Sequence, residues 1–243
     1  MEPDEYARIA AAEDEHWWYR NTRGLMRDLL GPWLGTGQRI LDAGCGPGGN
    51  GAWLAEHGEV VGVDLADLAL EFVRDRRPAM RPVQASIDRL PFRSASFDVV
   101  VEVTVVTCVR DDRAAVQELA RVLRPGGALL LFEPAFRALR RAHDKTVHAL
   151  HRYRRAELAA LAVAAGLHVE RSTYAYSFLT PAAFGLALVD RVREQPPSET
   201  GSDVERRALD GLFAPLAAAE RRWLRSRRAP FGTSAVVVAT RPV

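Results

Sequence analysis

The chain predicts an α/β domain, one largely parallel sheet covered by helices. Three observations predict it. Short β-type runs alternate with helical runs from residue 39 onward, the order that builds a parallel sheet. A glycine turn lies between the first of those runs and the helical stretch that follows it. The length, 243 residues, suits one sizeable core with decorations and is short for two enzymatic domains.

Taken in order, residues 1–35 form an amphipathic helical cap that contains "EDEHWWYRNTR" and runs into the turn region "GPWLGTGQ". The cofactor-type core occupies 36–176. Its strand candidates are "RILDAG" (39–44), "VVGVDL" (60–65), "RPVQAS" (81–86), "FDVVVEV" (97–103), "ALLLFEP" (128–134) and "HVERSTYAY" (168–176), and "TSAVVVAT" (233–240) adds a seventh. A helix over 111–123 is opened by Asp111 and Asp112 as caps, carries Ala115, Val116, Leu119, Val122 and Leu123 at helical spacing, and stops at "RPGG". Another, "AELAALAVAAG", is closed by Gly166. Residues 177–232 are an insert that reads as a lid. Its middle, "EQPPSETGSD", is a polar mobile loop, and the next segment places Leu209, Leu212, Phe213, Leu216, Trp223 and Leu224 on one helical face, with Pro215 as a kink. Residues 233–243 hold the last strand. The chain therefore reads as a single domain without internal repeats.

Composition narrows the function. Hydrophobic residues make up 48% and charged residues 26%, as in globular proteins, and no apolar run approaches the roughly 18–20 residues that span a bilayer. The acidic start "MEPDEYARIA" lacks a secretory pattern, and two cysteines make no disulfide framework, so a soluble protein of the reducing cytoplasm is expected. A net charge of +2 argues against a dedicated nucleic-acid binder.

The glycine turn "ILDAGCGPGGN" puts Gly44, Gly46 and Gly48 where backbone can approach a ligand closely, at the carboxyl edge of the sheet. Asp64 ends the second strand, where a carboxylate can take both hydroxyls of a ribose. That geometry suits any adenosine-type cofactor. Gly44, Gly46 and Gly49 also satisfy G-x-G-x-x-G, so a dinucleotide stays open on this pattern alone.

Further motifs carry a resemblance. Asp42 before the glycines, "LPF" (90–92) ahead of "SFDVV", and "LARVLRPGGALLLFEP" together resemble the class I S-adenosylmethionine-dependent methyltransferases over about residues 38–176. The resemblance implies a Rossmann-like, seven-stranded, mostly parallel sheet with helices on both faces and an antiparallel last strand. It also implies S-adenosylmethionine as cofactor and S-adenosylhomocysteine as product. Carried over by position, Asp42, Gly44, Gly46 and Gly48 hold the methionine part, Asp64 and Leu65 the ribose, and Ser86 and Ile87 flank adenine; Tyr19 and Arg23 of the cap join the cofactor set. Ser86 stands where many members have an aspartate, with Asp88 nearby, and Cys108 stands where a histidine is common. A lone cysteine such as Cys108 reads as a small apolar filler. "EHWWYRNTR", "HDKTVHALHRYRRAEL" and "PFGTSAVVVATR" extend the likeness to a bacterial subgroup of unassigned substrate, in which the histidine usually follows the aspartate by five residues; here His148 follows Asp144 by four.

"RRAHDKTVHALHRYRR" (140–155) concentrates histidines on the rim where this fold receives its methyl acceptor. In a helix, Asp144, His148, His151 and Arg155 form a single stripe, in which Asp144 orients His148 as base and His151 presents a second imidazole. His143, Arg152 and Tyr153 would then grip the acceptor. A solvated surface helix and a divalent-metal site are the competing readings; the metal lacks a further acid at matching spacing, so none is expected. Trp17 and Trp18 could stack on the acceptor or pack on the core. The basic run "ERRWLRSRR" (220–228) reads first as a solvated face, and otherwise as a contact for a phosphate-bearing or lipid-linked substrate.

The reading is methyl transfer to a small molecule, with oxygen favoured as acceptor because a base is at hand. Alternatives are methylation of RNA or protein, a cofactor-binding protein that does not methylate, and a nicotinamide-dependent oxidoreductase. Oligomeric state is not readable from the sequence.

Overall fold

The computed structural model of the chain describes residues 1–193 and 210–243. The cap comprises α1 (Pro3–Ala12) and α2 (Trp17–Leu30). Proline in the first turn of α1 forfeits no helical hydrogen bond, and Asp4 and Glu5 sit at the positive end of the helix dipole. His16 caps α2 by accepting the Trp18 N–H at 3.3 Å.

The core follows as β1 (Gln38–Ala43), α3 (Gly51–Leu54), β2 (Gly58–Asp64), α4 (Asp67–Arg76), β3 (Met80–Gln84) and β4 (Phe97–Val103). It continues through α5 (Asp112–Val122), β5 (Leu123–Pro134), α6 (His143–Thr146), α7 (Arg155–Ala164) and β6 (His168–Ala175). The chain closes with α8 (Thr180–Arg193), α9 (Asp210–Leu224) and β7 (Ser234–Thr240).

All the expected strands form one 7-stranded sheet in the order β3-β2-β1-β4-β5-β7-β6. β7 is antiparallel and slots between β5 and β6, which leaves β6 pointing the same way as the parallel strands. The order reverses between β1 and β4. A doubly wound sheet leaves a crevice outside the carboxyl ends of its strands at that reversal, and the loops after β1, β2, β4 and β5 gather there.

Both faces of the sheet centre are covered. Ile40, Leu41, Asp42 and Ala43 are buried in succession, as are Val99, Val100 and Val101 and residues 128–132; neighbours on a strand point to opposite faces, so only a sheet sandwiched by helices buries them all. α5 packs on β5 and on α7, and α7 covers β6 and β7; α4 covers β2 and β3, while α2 packs on β5 and α9. The left-handed Gly166 (φ +81°) ends α7 as expected.

An aromatic knot joins the cap to this sheet. Tyr176 is fully buried just past β6, and its hydroxyl meets the Thr22 hydroxyl of α2 at 2.5 Å. Trp17, Trp18, Phe132 and Phe178 surround its ring at centroid distances of 5.8, 6.3, 6.3 and 6.3 Å. Glu220 of α9 accepts the Tyr176 and Ser177 N–H groups, both at 2.7 Å.

Some expectations change. Asp111 caps α5, accepting the Ala114 N–H at 2.9 Å, but Asp112 turns away and accepts the Tyr153 hydroxyl. The apolar stripe of α9 is split: Phe213 and Leu224 pack inward around the small Ala217, whereas Leu212, Leu216 and Trp223 are exposed. The helix continues through Pro215. The polar loop expected over "EQPPSETGSD" and the side chain of Leu209 lie outside the described residues. No helix among the described residues is long and apolar enough to cross a membrane.

Replacing Asp111 with alanine removes a cap that is typically worth about 1 kcal/mol, so Tm should fall by about 2–4 °C in a chain of this size. Differential scanning calorimetry checks this, and an unchanged Tm would deny the cap its role.

Candidate functional site

The site is built on the turn between β1 and α3. The Gly44 and Cys45 N–H groups both donate to the Val63 carbonyl, at 2.7 and 2.8 Å, which folds the chain back across the end of β2. Gly44 (φ +81°) tolerates no side chain, because a Cβ there would lie 2.2 Å from Val105. At Gly46 (φ +52°) the opposite holds: a Cβ would meet nothing within 4 Å, so the bare backbone faces open space. Gly48 is left-handed as well, at φ +90°.

Asp64 locks this turn from β2. Its two carboxylate oxygens accept the Gly46 and Ala66 N–H groups, each at 3.0 Å. Each oxygen keeps a second lone pair for a ligand hydroxyl. Leu65 beside it is 68% exposed, an unusual position for a leucine and one that a flat ring would cover. After β3, Ser86 is half-buried and Ile87 buried, while Asp88 is exposed.

Asp42 lies under the turn, 1% exposed. Burial pushes its carboxyl up to about 7, the Asn50 side chain partly offsets the shift, and Glu13, Asp64 and Glu102 add to it. Its Oδ2 has no partner among the described residues. An orphaned buried oxygen beside a bare glycine turn is what a ligand with a donor group would satisfy. These residues fit an adenosine-type cofactor with a charged amino-acid end.

The loop after β4 forms the far wall. Glu102 Oε1 accepts the Val105 and Val106 N–H groups at 2.6 and 3.0 Å, and Glu133 Oε1 accepts the Thr107 N–H at 3.1 Å. Both glutamates are fully buried, and burial raises both above the usual carboxylate range, Glu133 further because of the nearby Glu102. Non-glycine residues with left-handed backbone cluster at these strand ends: Thr104 (φ +58°) after β4, Phe136 (φ +52°) after β5 and Tyr176 (φ +60°) after β6. Burial pushes the Cys108 thiol up to about 11, which disfavours the thiolate.

The cap covers the crevice. Glu13 follows α1 and touches the turn: a Cβ on Gly49 would lie 2.4 Å from its Oε2. Arg77 at the end of α4 holds Glu13 at 2.8 Å and Asp14 at 2.6 Å. Tyr6 is buried with its phenol pushed well up by burial and by the nearby Asp64, Cys108 and Cys45, which places it over the same edge. Tyr19 is likewise raised by burial and by Glu13 and Glu5, and burial lowers Arg23 while Asp14 and Glu13 oppose the shift. Both sequence-predicted cap residues therefore lie near the glycine turn. Trp17 instead packs in the core against Tyr176 and Phe213, and Trp18 is half-buried with its ring 4.9 Å from that of Tyr19.

The stripe expected over 143–155 does not form. α6 ends at Thr146, and His148 is left-handed at φ +58°. Beyond it the chain is diverted, because the Leu150 and His151 N–H groups donate to the Thr107 carbonyl at 2.8 and 3.1 Å and Tyr153 N–H donates to Pro134 at 2.9 Å. Asp144 does not orient His148. It is buried and bound to Arg152 through two contacts at 2.8 and 3.0 Å, and it caps the Arg141 N–H. His148 is exposed and meets Glu2 at 2.9 Å. Arg152 gives its remaining terminal nitrogen to the Ala135 carbonyl, so all its nitrogens are committed inside the protein rather than to a ligand. Tyr153 is buried with its hydroxyl on Asp112 at 3.0 Å, a packing role. His143 begins α6, half-buried. His151 presents its Nε2 buried without a partner among the described residues. No group of three His, Cys, Asp or Glu among the described residues is disposed to hold a metal ion.

Tyr6, Glu13, Val105 and the Glu102–Glu133 pair were missed in the sequence. The last had a readable signal, an acid at the same place near the end of two adjacent apolar strands; the others had none, because contact across the crevice leaves no local pattern.

Comparison with known proteins adds to this geometry. Residues 41–131 match the family described as a methyltransferase domain. A malonyl-[acyl-carrier protein] O-methyltransferase of Enterobacter lignolyticus is 41% identical over 118 residues, covering 46% of this chain and 47% of that protein. A probable S-adenosylmethionine-dependent methyltransferase of Mycobacterium tuberculosis is 30% identical over 194 residues, 79% of this chain and 66% of that protein. The chain thus spans about half to two thirds of the length of these curated relatives. Among solved structures, a methyltransferase in complex with the Haloferax volcanii Trm112 methyltransferase activator superposes with a TM-score of 0.65 at 21% identity, over 99% of this chain and 95% of that one.

The raised pKa of Asp42 fixes a sign. Its carboxyl binds a proton more tightly folded than unfolded, so its contribution favours the fold at low pH and is lost as pH rises through about 7. Asp42→Asn should therefore gain Tm relative to the parent chain at pH 8 and gain little at pH 5. An equal change at both pH values would place the charge elsewhere.

Proposed function

The chain belongs to the class I S-adenosylmethionine-dependent methyltransferase family, and from that premise we propose that it transfers a methyl group from S-adenosylmethionine to a small-molecule acceptor. The observation that carries this reading is the glycine turn locked by Asp64, with Gly46 facing open space and the orphaned Asp42 oxygen beneath it. Gly44, Gly46 and Gly48 hold the methionine part, with Asp42 beneath them. Asp64 takes the ribose, and Leu65, Ser86 and Ile87 enclose adenine.

The bound sulfonium supplies an electrophilic methyl for direct displacement. The chain then has three tasks: to align the acceptor, to exclude water and to receive a proton from the attacking atom. α1, α2 and Tyr6 exclude water by covering the crevice, with Tyr19 and Arg23 on the same side. His151 is the base, since its Nε2 is unengaged while His148 is turned outward. A base in this position favours an oxygen acceptor. The O-methyltransferase named among the relatives acts in the same reaction class.

Calorimetric titration with S-adenosylmethionine and S-adenosylhomocysteine tests the reading, with NADH as control. The sulfur compounds should bind and NADH should not; the reverse would make the glycine turn a dinucleotide site. Asp64→Ala should weaken S-adenosylmethionine binding by more than about tenfold, because it removes both the ribose acceptor and the lock on Gly46. His151→Ala should depress kcat with cofactor affinity unchanged, whereas His148→Ala should leave turnover near that of the parent. Loss of turnover in the His148 variant alone would return the base to that residue.

A further inference from the structure

A recess of about 280 Å³ opens just past the end of β5, lined by Arg137, Arg140, Leu150, His151 and Arg152. Its walls come from two stretches of chain. Arg137 and Arg140 flank a single 3-10 turn, and residues 150–152 return alongside it. The charges on these walls are unequal in their commitments. Arg152 is neutralised by Asp144 and tied to the Ala135 carbonyl. Arg140 donates one terminal nitrogen to the Ala149 carbonyl at 2.6 Å and is otherwise free, and Arg137 is exposed. Among the described residues neither Arg137 nor Arg140 enters an ion pair, and no acid lines the recess. His151, whose Nε2 is buried and unpartnered among the described residues, completes the lining.

Two uncompensated guanidiniums converging on one small recess call for a dianion. We infer that this recess binds a phosphate monoester group and that it is the handle by which the methyl acceptor is held, the second part resting on the function proposed above. A carboxylate would leave one guanidinium unmatched, whereas a phosphate monoester carries about −1.5 to −2 at neutral pH and offers three acceptor oxygens. Leu150, 47% exposed at the rim, gives an apolar surface for the carbon skeleton attached to it.

The placement suits an acceptor. The Thr107 carbonyl anchors Leu150 and His151, and Val105 of the same loop abuts Gly44, so one short loop borders both the glycine turn and the recess. The phosphate is thereby held beside the base while the rest of the acceptor extends toward the crevice.

The test is calorimetric titration of the full chain with inorganic phosphate, repeated with acetate, in the absence of S-adenosylmethionine. Phosphate should bind more tightly than acetate. The double variant Arg137→Ala/Arg140→Ala should lose more than about tenfold in phosphate affinity, and Arg137→Lys/Arg140→Lys should lose less because the charges remain. Arg227→Ala/Arg228→Ala, which removes exposed arginines beyond α9, should bind phosphate as the parent does. Unchanged affinity in the Arg137/Arg140 alanine variant, an equal loss in the Arg227/Arg228 variant, or acetate binding as tightly as phosphate would each overturn the site. Titrating the alanine variant with S-adenosylmethionine should give the parental affinity, which shows that the fold is intact. Because phosphate is measured alone, the recess can fail while the cofactor site stands, and the cofactor site can fail while the recess stands.

Discussion

The hydrogen bonds that Glu102 and Glu133 make to residues 105–107 are the constraint on which the site depends. These acids sit at the ends of neighbouring strands in a dry environment, and each aims an oxygen at backbone N–H groups of the loop after β4. The loop leaves its strand through the left-handed Thr104, a conformation costly for a β-branched residue, and the carboxyl groups offset that cost with hydrogen bonds. Once fixed, the loop has two consequences. Val105 is pressed against Gly44, which must therefore remain a glycine, and the Thr107 carbonyl captures Leu150 and His151.

That capture explains why the histidine-rich segment is not a helix. Local periodicity allowed a continuous helix over 143–155, but helical backbone would use the Leu150 and His151 N–H groups internally. The Thr107 carbonyl satisfies both instead, the Tyr153 N–H goes to Pro134, and Asp144 gains a guanidinium partner in Arg152 that a helical stripe would have replaced with His148. The rearrangement separates roles that the sequence appeared to combine. His148 goes to the surface beside Glu2, Arg152 becomes a strut, and His151 keeps a free nitrogen.

The cap is tied down at both ends of the crevice by different forces. On the glycine-turn side, Glu13 and Asp14 engage Arg77, and on the far side Tyr176 gathers Trp17, Trp18 and Phe132 around a buried hydroxyl pair with Thr22. The first tie is ionic, partly desolvated and polar enough to exchange with water; the second is aromatic packing that buries large area.

The strands, their order of appearance, the capped helix α5, the glycine turn and Asp64 were all legible in the sequence, because each leaves a signal within a few residues: alternation, a cap, a positive-φ glycine, an acid at a strand end. The antiparallel direction of β7 agreed with the family resemblance, which local pattern could not supply. Tertiary structure alone decided which acid partners which base, which side of α9 faces inward, and that Tyr6 and Glu13 lie at the glycine-turn edge. The physical reason is the range of the forces. Backbone conformation and period are set by neighbours in the chain, whereas hydrogen-bond partners and burial at the crevice are set by groups brought together from positions far apart, and no local pattern encodes that meeting.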